Sequence, residues 1–392
     1  MDLLLLPQPS NGTLADVYHR ALRNSVRLYI VSAYLTHWEI EEDLGPQCET
    51  FVFIVGKDFG ITRKAACENV LDWLPEDREV QFLAAEGIDG FHPKAVFWQE
   101  ADGSCHCLLG SSNLSRAAFT SNYEANGYAK ISSKSFAQAT EWITRLMRKC
   151  VTLDSTWLDQ YREALQPRKP RKPDEPAVDE PDDGRAFDLN LPLPLSAKRQ
   201  KDVLARRREQ IEMFSRAKND LVDLFSKAKR ARVWQLDRNE EFYWALKELW
   251  SYEAGNRFQG AGWERQGKSS DFREFARSLI KVMEAEELSR DAVVSREIDR
   301  LKTLDVRTRG ALFSEMLCQF FPEDYYVLNK PVKKWLRGTT VSAIRGDSEG
   351  SKYIRGARLL RTALARSPKY PAKNLAELDA LIWLNSNPES TF

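Results

Sequence analysis

Five polar residues between positions 92 and 124 have the types and the spacing of a nucleophilic site that acts on an anion. His92 and Lys94 lie two residues apart, Ser111 and Asn113 lie two residues apart in a Gly-Ser-Ser-Asn segment, and Glu124 follows. A histidine can act as nucleophile or as general acid and base near neutral pH. A lysine would supply positive charge for the anion, while serine and asparagine would donate hydrogen bonds where negative charge develops.

Two predicted strands must bring these residues together. Apolar segments at 95–98 and 107–109 predict a strand that carries His92 and Lys94, a turn, and a second strand that delivers the 110–113 loop. Because side chains alternate along a strand, His92 and Lys94 should point the same way, where the polar groups of the loop can meet them. A glutamate that accepts a hydrogen bond from one ring nitrogen would fix the other nitrogen as the attacking atom.

These residues resemble a known family signature. His92-Pro93-Lys94, then Gly110-Ser111-Ser112-Asn113, then Glu124 are similar in order and spacing to the His-x-Lys, Gly-Ser-x-Asn and Glu elements of the phospholipase D superfamily. The likeness is closest to the single-motif bacterial nucleases of that superfamily, and it covers about residues 10 to 150.

The resemblance implies a role for each residue of the signature. His92 would attack a phosphodiester and form a phosphohistidine intermediate. Lys94 and Asn113 would grip the phosphate, Ser111 would support the site by hydrogen bonds, and Glu124 would orient the imidazole. No metal ion and no cofactor are required by this chemistry, and the sequence predicts neither.

Three further positions bear on the predicted site. Ser112 and Arg116, in and just after the loop, are the expected additional substrate contacts. The family often has an aspartate a few residues after the lysine, and this chain has Gln99 there. The absence of that aspartate would weaken the local support of the site more than it would change the chemistry.

The family uses two such motifs in each active site, whereas this chain has one. None of the other histidines, at positions 19, 37 and 106, is followed two residues later by lysine. The resemblance therefore implies a two-fold dimer, formed through the catalytic domain, in which His92 of both subunits faces one phosphate. One imidazole would attack while the other protonates the leaving oxygen.

Composition limits the remaining possibilities. A chain of 392 residues is long enough for two or three domains, and its net charge of +1 means that nucleic acid would be contacted by local patches. Six scattered cysteines predict reduced thiols and a cytoplasmic protein. Cys105 and Cys107 flank His106, but alternation along a strand would place the histidine on the opposite face, which disfavours a metal site. No segment approaches the ~20 apolar residues of a membrane span.

Predicted strands and helices alternate in the first part of the chain, which indicates an α/β layered domain with a mixed sheet flanked by helices over residues 1–165. The N-terminal residues are a candidate edge strand, and Thr62 is a candidate helix cap. The pattern predicts helices at 13–24, 62–73, 135–150 and 156–165 and strands at 26–36, 51–55 and 80–84.

A linker rich in proline and charge follows at residues 166–186, and the sequence of residues 187–392 predicts a mostly helical C-terminal domain for substrate or partner recognition. Its longest helical pattern, at 197–232, fits one helix or two, and its basic face fits either a phosphate-contacting stripe or an ordinary charged surface. The aromatic and arginine residues of a loop at 255–267 fit either base stacking or packing. Shorter helices are predicted at 239–252, 271–287, 293–301, 310–321, 332–336, 355–366 and 375–384, with a helix–turn–helix corner at 322–331.

Three functions are compatible with this pattern. The first is a metal-independent DNA endonuclease, serving prokaryotic restriction or anti-phage defence by analogy with single-motif members joined to extra domains. The second is a phospholipid-processing enzyme, for which the sequence offers no clear membrane-binding face. The third is a nucleic-acid-binding or scaffold protein that keeps the fold without turnover.

Overall fold

A computed structural model describes residues 1–7, 13–38, 40, 42–164, 191–192, 197–230, 236–253, 271–337 and 348–386. The chain forms two compact units, Met1–Asp188 and Leu189–Phe392. The predicted linker at 166–186 and the predicted loop at 255–267 lie outside the described residues.

The first unit is built on one eight-stranded mixed sheet with the order β1-β7-β6-β5-β2-β3-β4-β8. The pairs β2–β3 and β3–β4 are parallel, and the other neighbours are antiparallel. This sheet and its flanking helices confirm the predicted α/β layered class. The strands are β1 (Asp2–Leu6), β2 (Ser25–Ser32), β3 (Thr50–Val55), β4 (Phe82–Ala84), β5 (Lys94–Glu100), β6 (Cys105–Gly110), β7 (Glu124–Ile131) and β8 (Val151–Thr152).

The described residues of this unit form five α-helices, and side chains cap most of their N-termini. The first begins with a capping box, in which Thr13 and Asp16 exchange hydrogen bonds, and Ser132 and Asp154 cap the fourth and fifth. The helices are α1 (Leu14–Asn24), α2 (Lys64–Trp73), α3 (Arg116–Thr120), α4 (Ser133–Met147) and α5 (Ser155–Gln160). The four helices predicted from the sequence are therefore all present, although the last is shorter.

The centre of the sheet is its most buried part. All six residues of β3 are buried, as expected for a strand covered on both faces. Strand β1 lies at one edge, as predicted, and pairs with β7 from Asp2 opposite Tyr128 to Leu6 opposite Glu124. A rigid buried centre fixes the ends of β2, β5, β6 and β7, and those ends carry the predicted site residues.

The predicted strand at 26–36 is too long. Strand β2 ends at Ser32, whose hydroxyl donates to the carbonyl of Tyr34 at 2.8 Å. The chain then leaves the sheet, and the Thr36 amide donates to the Leu114 carbonyl at 2.8 Å. Hydrogen bonds to a distant loop thus replace the strand ladder, although the β-branched and aromatic composition favours a strand.

The predicted cap at Thr62 is wrong. Its hydroxyl donates to the Gly56 carbonyl at 2.6 Å and accepts from the Leu35 amide at 3.3 Å, because both are buried groups that need partners. The first-turn amide of Lys64 donates instead to a carboxylate oxygen of Glu163 at 2.9 Å. The strand predicted at 80–84 covers only Phe82–Ala84 in the structure, because a 3₁₀ helix occupies residues 76–81.

The second unit is helical in every described segment that has regular structure, which confirms the predicted class for this part of the chain. The long pattern forms one continuous helix, and the corner residue Asn329 accepts from the Val332 amide at 2.9 Å. The helices are α6 (Ala197–Arg230), α7 (Leu236–Lys247, continued by a π-helical turn), α8 (Phe272–Glu284), α9 (Glu287–Thr303), α10 (Ala311–Phe320), α11 (Lys330–Arg337), α12 (Glu349–Arg366) and α13 (Leu375–Ser386).

A buried charge cluster joins two of these helices. The Asp291 carboxylate on α9 lies 2.8 Å from both Arg358 and Arg361 on α12. Burial alone would raise the pKa of Asp291, but the two arginine charges outweigh burial and hold it well below its usual range. Within the described ranges, no helix is long and apolar enough to cross a lipid bilayer.

A chain truncated after Gly184 is expected to fold, because every strand of the eight-stranded sheet and all five flanking helices come from the first unit. Circular dichroism should show a cooperative thermal transition. A control chain truncated after Met147 lacks β8 and the buried Trp157, and it should not fold cooperatively. An insoluble 1–184 chain would place the boundary elsewhere.

Candidate active site

The predicted site residues meet at one end of the first unit's sheet. Ser32, the last residue of β2, pairs with Lys94, the first residue of β5. Gly110 ends β6 and pairs with Asn126 near the start of β7. Four adjacent strands therefore present their ends at the same edge, which is the carboxyl end of the parallel strands and the usual ligand side of such sheets.

His92 and Lys94 are in contact, although the contact is not made as predicted. His92 is exposed and precedes β5, whereas the prediction placed both residues on the strand. The Lys94 ammonium lies 3.1 Å from His92 Nδ1 and 3.3 Å from Nε2, and it donates to the His92 carbonyl at 3.2 Å. Nearly equal distances to both ring nitrogens place the ammonium over the ring face, so it does not point along one lone pair.

The Gly-Ser-Ser-Asn loop is clamped by a residue that the sequence prediction missed. The Ser112 amide donates to Asn126 Oδ1 at 3.2 Å, and Asn126 Nδ2 donates to Ser112 Oγ at 2.8 Å. Both side chains are buried, so Ser112 supports the loop from behind, while its predicted substrate contact stays a prediction. A weak signal for Asn126 exists, since it lies two residues after Glu124 on the same strand face.

Tyr34 connects the loop to His92. Its amide donates to Asn113 Oδ1 at 3.2 Å, and its ring stands edge-on to the His92 imidazole, with centroids 5.8 Å apart and planes at 75°. Burial raises the pKa of Tyr34, and the negative charge of Asp58 raises it further. Asn113 and His92 are thus held against one half-buried tyrosine, which the sequence placed in an ordinary strand.

Glu124 is bound to the loop and not to the histidine of its own chain. Ser111 Oγ donates to Glu124 Oε2 and accepts from the Ala125 amide at 3.0 Å, while Asn122 Nδ2 donates to Glu124 Oε1 at 3.1 Å. Among the described residues, no hydrogen bond joins Glu124 to His92, so its predicted orienting role stays a prediction.

Opposing effects act on the Lys94 ammonium. Burial lowers the pKa of Lys94, and the negative charge of Glu124 raises it, with burial the larger effect. The net shift is downward. The Lys94 ammonium therefore contacts His92 and also feels the charge of the Glu124 carboxylate.

The remaining predicted positions lie at the margin of the site. Gln99 is five residues beyond Lys94 on β5, so it faces the opposite side of the sheet, about 16 Å away. It cannot support the site from there. Arg116 is the exposed first residue of α3, and its guanidinium forms no ion pair with any residue that the structure describes. Its substrate contact also stays a prediction.

No metal centre is apparent in the described residues, where no group of three or more His, Cys, Asp and Glu side chains could hold an ion. All six cysteines lie in the described ranges, where they are buried and form no disulfide. His106 accepts from or donates to Tyr128 Oη at 3.1 Å and stacks on Trp98 with centroids 5.0 Å apart, so it is a core residue.

Comparisons with known proteins found similarity among solved structures. No protein-family model matches the chain, and no curated protein matches it. Among solved structures, NucT from Helicobacter pylori is similar over 39% of this chain and 98% of that chain, with 16% sequence identity and a TM-score of 0.29.

Replacing Gly110 by alanine should displace the loop, because a Cβ at this position would lie 2.1 Å from Asn126 Oδ1 and 2.6 Å from the Ala125 carbonyl. The overpacking should lower the free energy of unfolding by about 1–3 kcal/mol in urea titrations. The matched control is Gly127→Ala on β7, where the added Cβ would lie 3.4 Å from Met1 Sδ. Equal stability of the two variants would contradict a tightly clamped loop.

Proposed function

We propose that this chain is a metal-independent phosphodiesterase that cleaves DNA as an endonuclease. The observation that supports the proposal best is the grouping of His92, Lys94 and Asn113 at one exposed sheet end, with Ser111 and Glu124 bonded beside them. The order of these residues is that of the phospholipase D signature. A nucleophile, a cation and amide donors in one place are what attack on a phosphodiester requires.

The proposed reaction proceeds in two steps. A ring nitrogen of His92 attacks phosphorus, so that an N–P bond forms and the P–O bond to the leaving oxygen breaks. A second imidazole donates its proton to that oxygen. Water then attacks phosphorus and gives a proton to the second imidazole. This attack breaks the N–P bond and frees His92. Lys94 and Asn113 Nδ2 would stabilise the charge on the phosphoryl oxygens in both steps.

The second imidazole would come from His92 of another copy of the chain. An exposed apolar surface beside the site supports this dimer: Leu3, Leu5 and Leu109 are 64%, 49% and 45% exposed. Their registers on β1 and β6 place all three on one sheet face, opposite to the face of Lys94 and Glu124, and Leu109 directly precedes Gly110. An apolar surface of this kind is typical of an interaction site, and we assign it to a second copy of the chain.

The finer assignments are part of the same proposal. Six buried cysteines that form no disulfide fit a protein folded in a reducing compartment, which supports a cytoplasmic location. The helical second unit would select the substrate or bind a partner protein. We assign the nuclease to restriction or anti-phage defence by analogy with single-motif members that carry extra domains.

The wild-type protein should cleave labelled DNA in excess chelator, and His92→Ala should lower the rate at least about 10³-fold because the nucleophile is lost. Denaturing electrophoresis of stopped reactions should show a protein–DNA adduct for the wild type only. The matched control is His19→Ala on the half-buried face of α1, which should cleave at the wild-type rate. Loss of wild-type activity in chelator would contradict the metal-independent mechanism.

A charge placed on the apolar surface should separate the dimer. Leu109→Lys should give a monomer by sedimentation and should abolish cleavage, because burying an ammonium in the interface costs several kcal/mol. Leu304→Lys, at a residue of the second unit that is 48% exposed, is the matched control and should leave a dimer. An active wild-type monomer would rule out the shared site.

A further inference from the structure

A buried ion pair lies next to the loop that carries His92. The Lys57 side chain is fully buried, and its ammonium lies 2.9 Å from Asp58 Oδ1. Removing two charges from water costs several kcal/mol for each ion, and close pairing repays that cost only in favourable geometry. Two apolar residues at these positions would carry no such cost. The presence of Lys57 and Asp58 therefore raises the question of what else the Asp58 carboxylate binds.

The second oxygen of Asp58 contacts the backbone of the His92 loop. Asp58 Oδ2 accepts a hydrogen bond from the Phe91 amide at 2.9 Å. Phe91 directly precedes His92, and its own side chain is buried. A hydrogen bond from an amide to a carboxylate is shorter and stronger than one between neutral groups. Asp58 therefore holds the backbone one residue away from the imidazole.

The charge of Asp58 also acts on Tyr34. Burial raises the pKa of the Tyr34 hydroxyl, and the negative charge of Asp58 raises it further. The Tyr34 ring stands edge-on to His92, and the Tyr34 amide holds Asn113. The Asp58 carboxylate thus bonds to the backbone before His92, and its charge acts on the tyrosine whose ring packs against the imidazole.

We infer that Asp58 is a positioning residue for His92, with Lys57 as its buried counter-ion. This inference rests on the proposed function. Asp58 touches neither the substrate nor the reacting atoms. It keeps the imidazole where the Lys94 ammonium reaches it, and a nucleophile displaced by about 1 Å from its reacting position loses on the order of 10²-fold in rate.

The test uses the full-length protein and two readouts. Asp58→Ala should accelerate hydrogen exchange of the Phe91 amide at least about 10-fold, because its acceptor is lost. The same variant should lower kcat for DNA cleavage by about 10- to 100-fold with little change in KM, since the substrate contacts remain. The exchange readout does not require an active enzyme, so it decides the positioning even if the wild type fails to cleave DNA.

The matched control is Glu163→Gln. Glu163 accepts from Arg63 Nη1 and from the Lys64 amide, both at 2.9 Å, at the start of α2 in the same unit. Its loss removes an ion pair of the same 2.9 Å separation that is less buried, and it should change neither Phe91 exchange nor kcat. A fall in kcat for both variants would mean that Asp58 acts only through stability, and that result would overturn the inference.

A double variant separates hydrogen bonding from charge. In Lys57→Met/Asp58→Asn both charges are gone, but the new amide oxygen can still accept from the Phe91 amide. We expect slow Phe91 exchange and kcat within about 3-fold of the wild type. Fast exchange in this variant, or wild-type exchange in Asp58→Ala, would show that the bond does not hold the loop.

Discussion

The pairing of β6 between β5 and β7 is the constraint on which the candidate site depends. Its register places Gly110 opposite Asn126 and Ala95 opposite Leu109, so the start of β5, the end of β6 and the start of β7 share one edge. A slip by one residue would turn every side chain of a strand to the other face and would separate Lys94 from Glu124. The buried centre of the sheet makes such a slip costly, because each strand has an apolar face to cover.

The candidate site combines exposed polar groups with buried supports. His92 and Ser111 are exposed, whereas Ser112 and Asn126 behind them are buried and satisfy each other's hydrogen bonds. Exposed groups can be held accurately only if their supports are locked by packing and by hydrogen bonds. The proposed role of Asp58 extends this arrangement to the histidine, whose loop has no strand partner of its own.

Much of the first unit could be predicted because its signals are local. The capping box at Thr13, the buried run of β3 and the two motif strands each depend on neighbours in sequence. The errors arose where a distant group competes with local propensity. Thr62 has the right type for a cap, but the buried Gly56 carbonyl takes its hydroxyl. The strand predicted to reach residue 36 ends at Ser32 because the next residues bond to Leu114.

The sequence by itself determined the candidate site residues, because His92, Lys94, Ser111, Asn113 and Glu124 are recognisable from type and spacing. It also determined the order of an α/β layer followed by helices, since both periodicities are local. Only the tertiary structure decided which other residues support that set. Tyr34 and Asn113 are 79 positions apart in the chain, and Asp58 and Phe91 are 33 apart. No periodic pattern links such pairs, because their contact follows from the order of strands in the sheet and not from the spacing of residues along the chain.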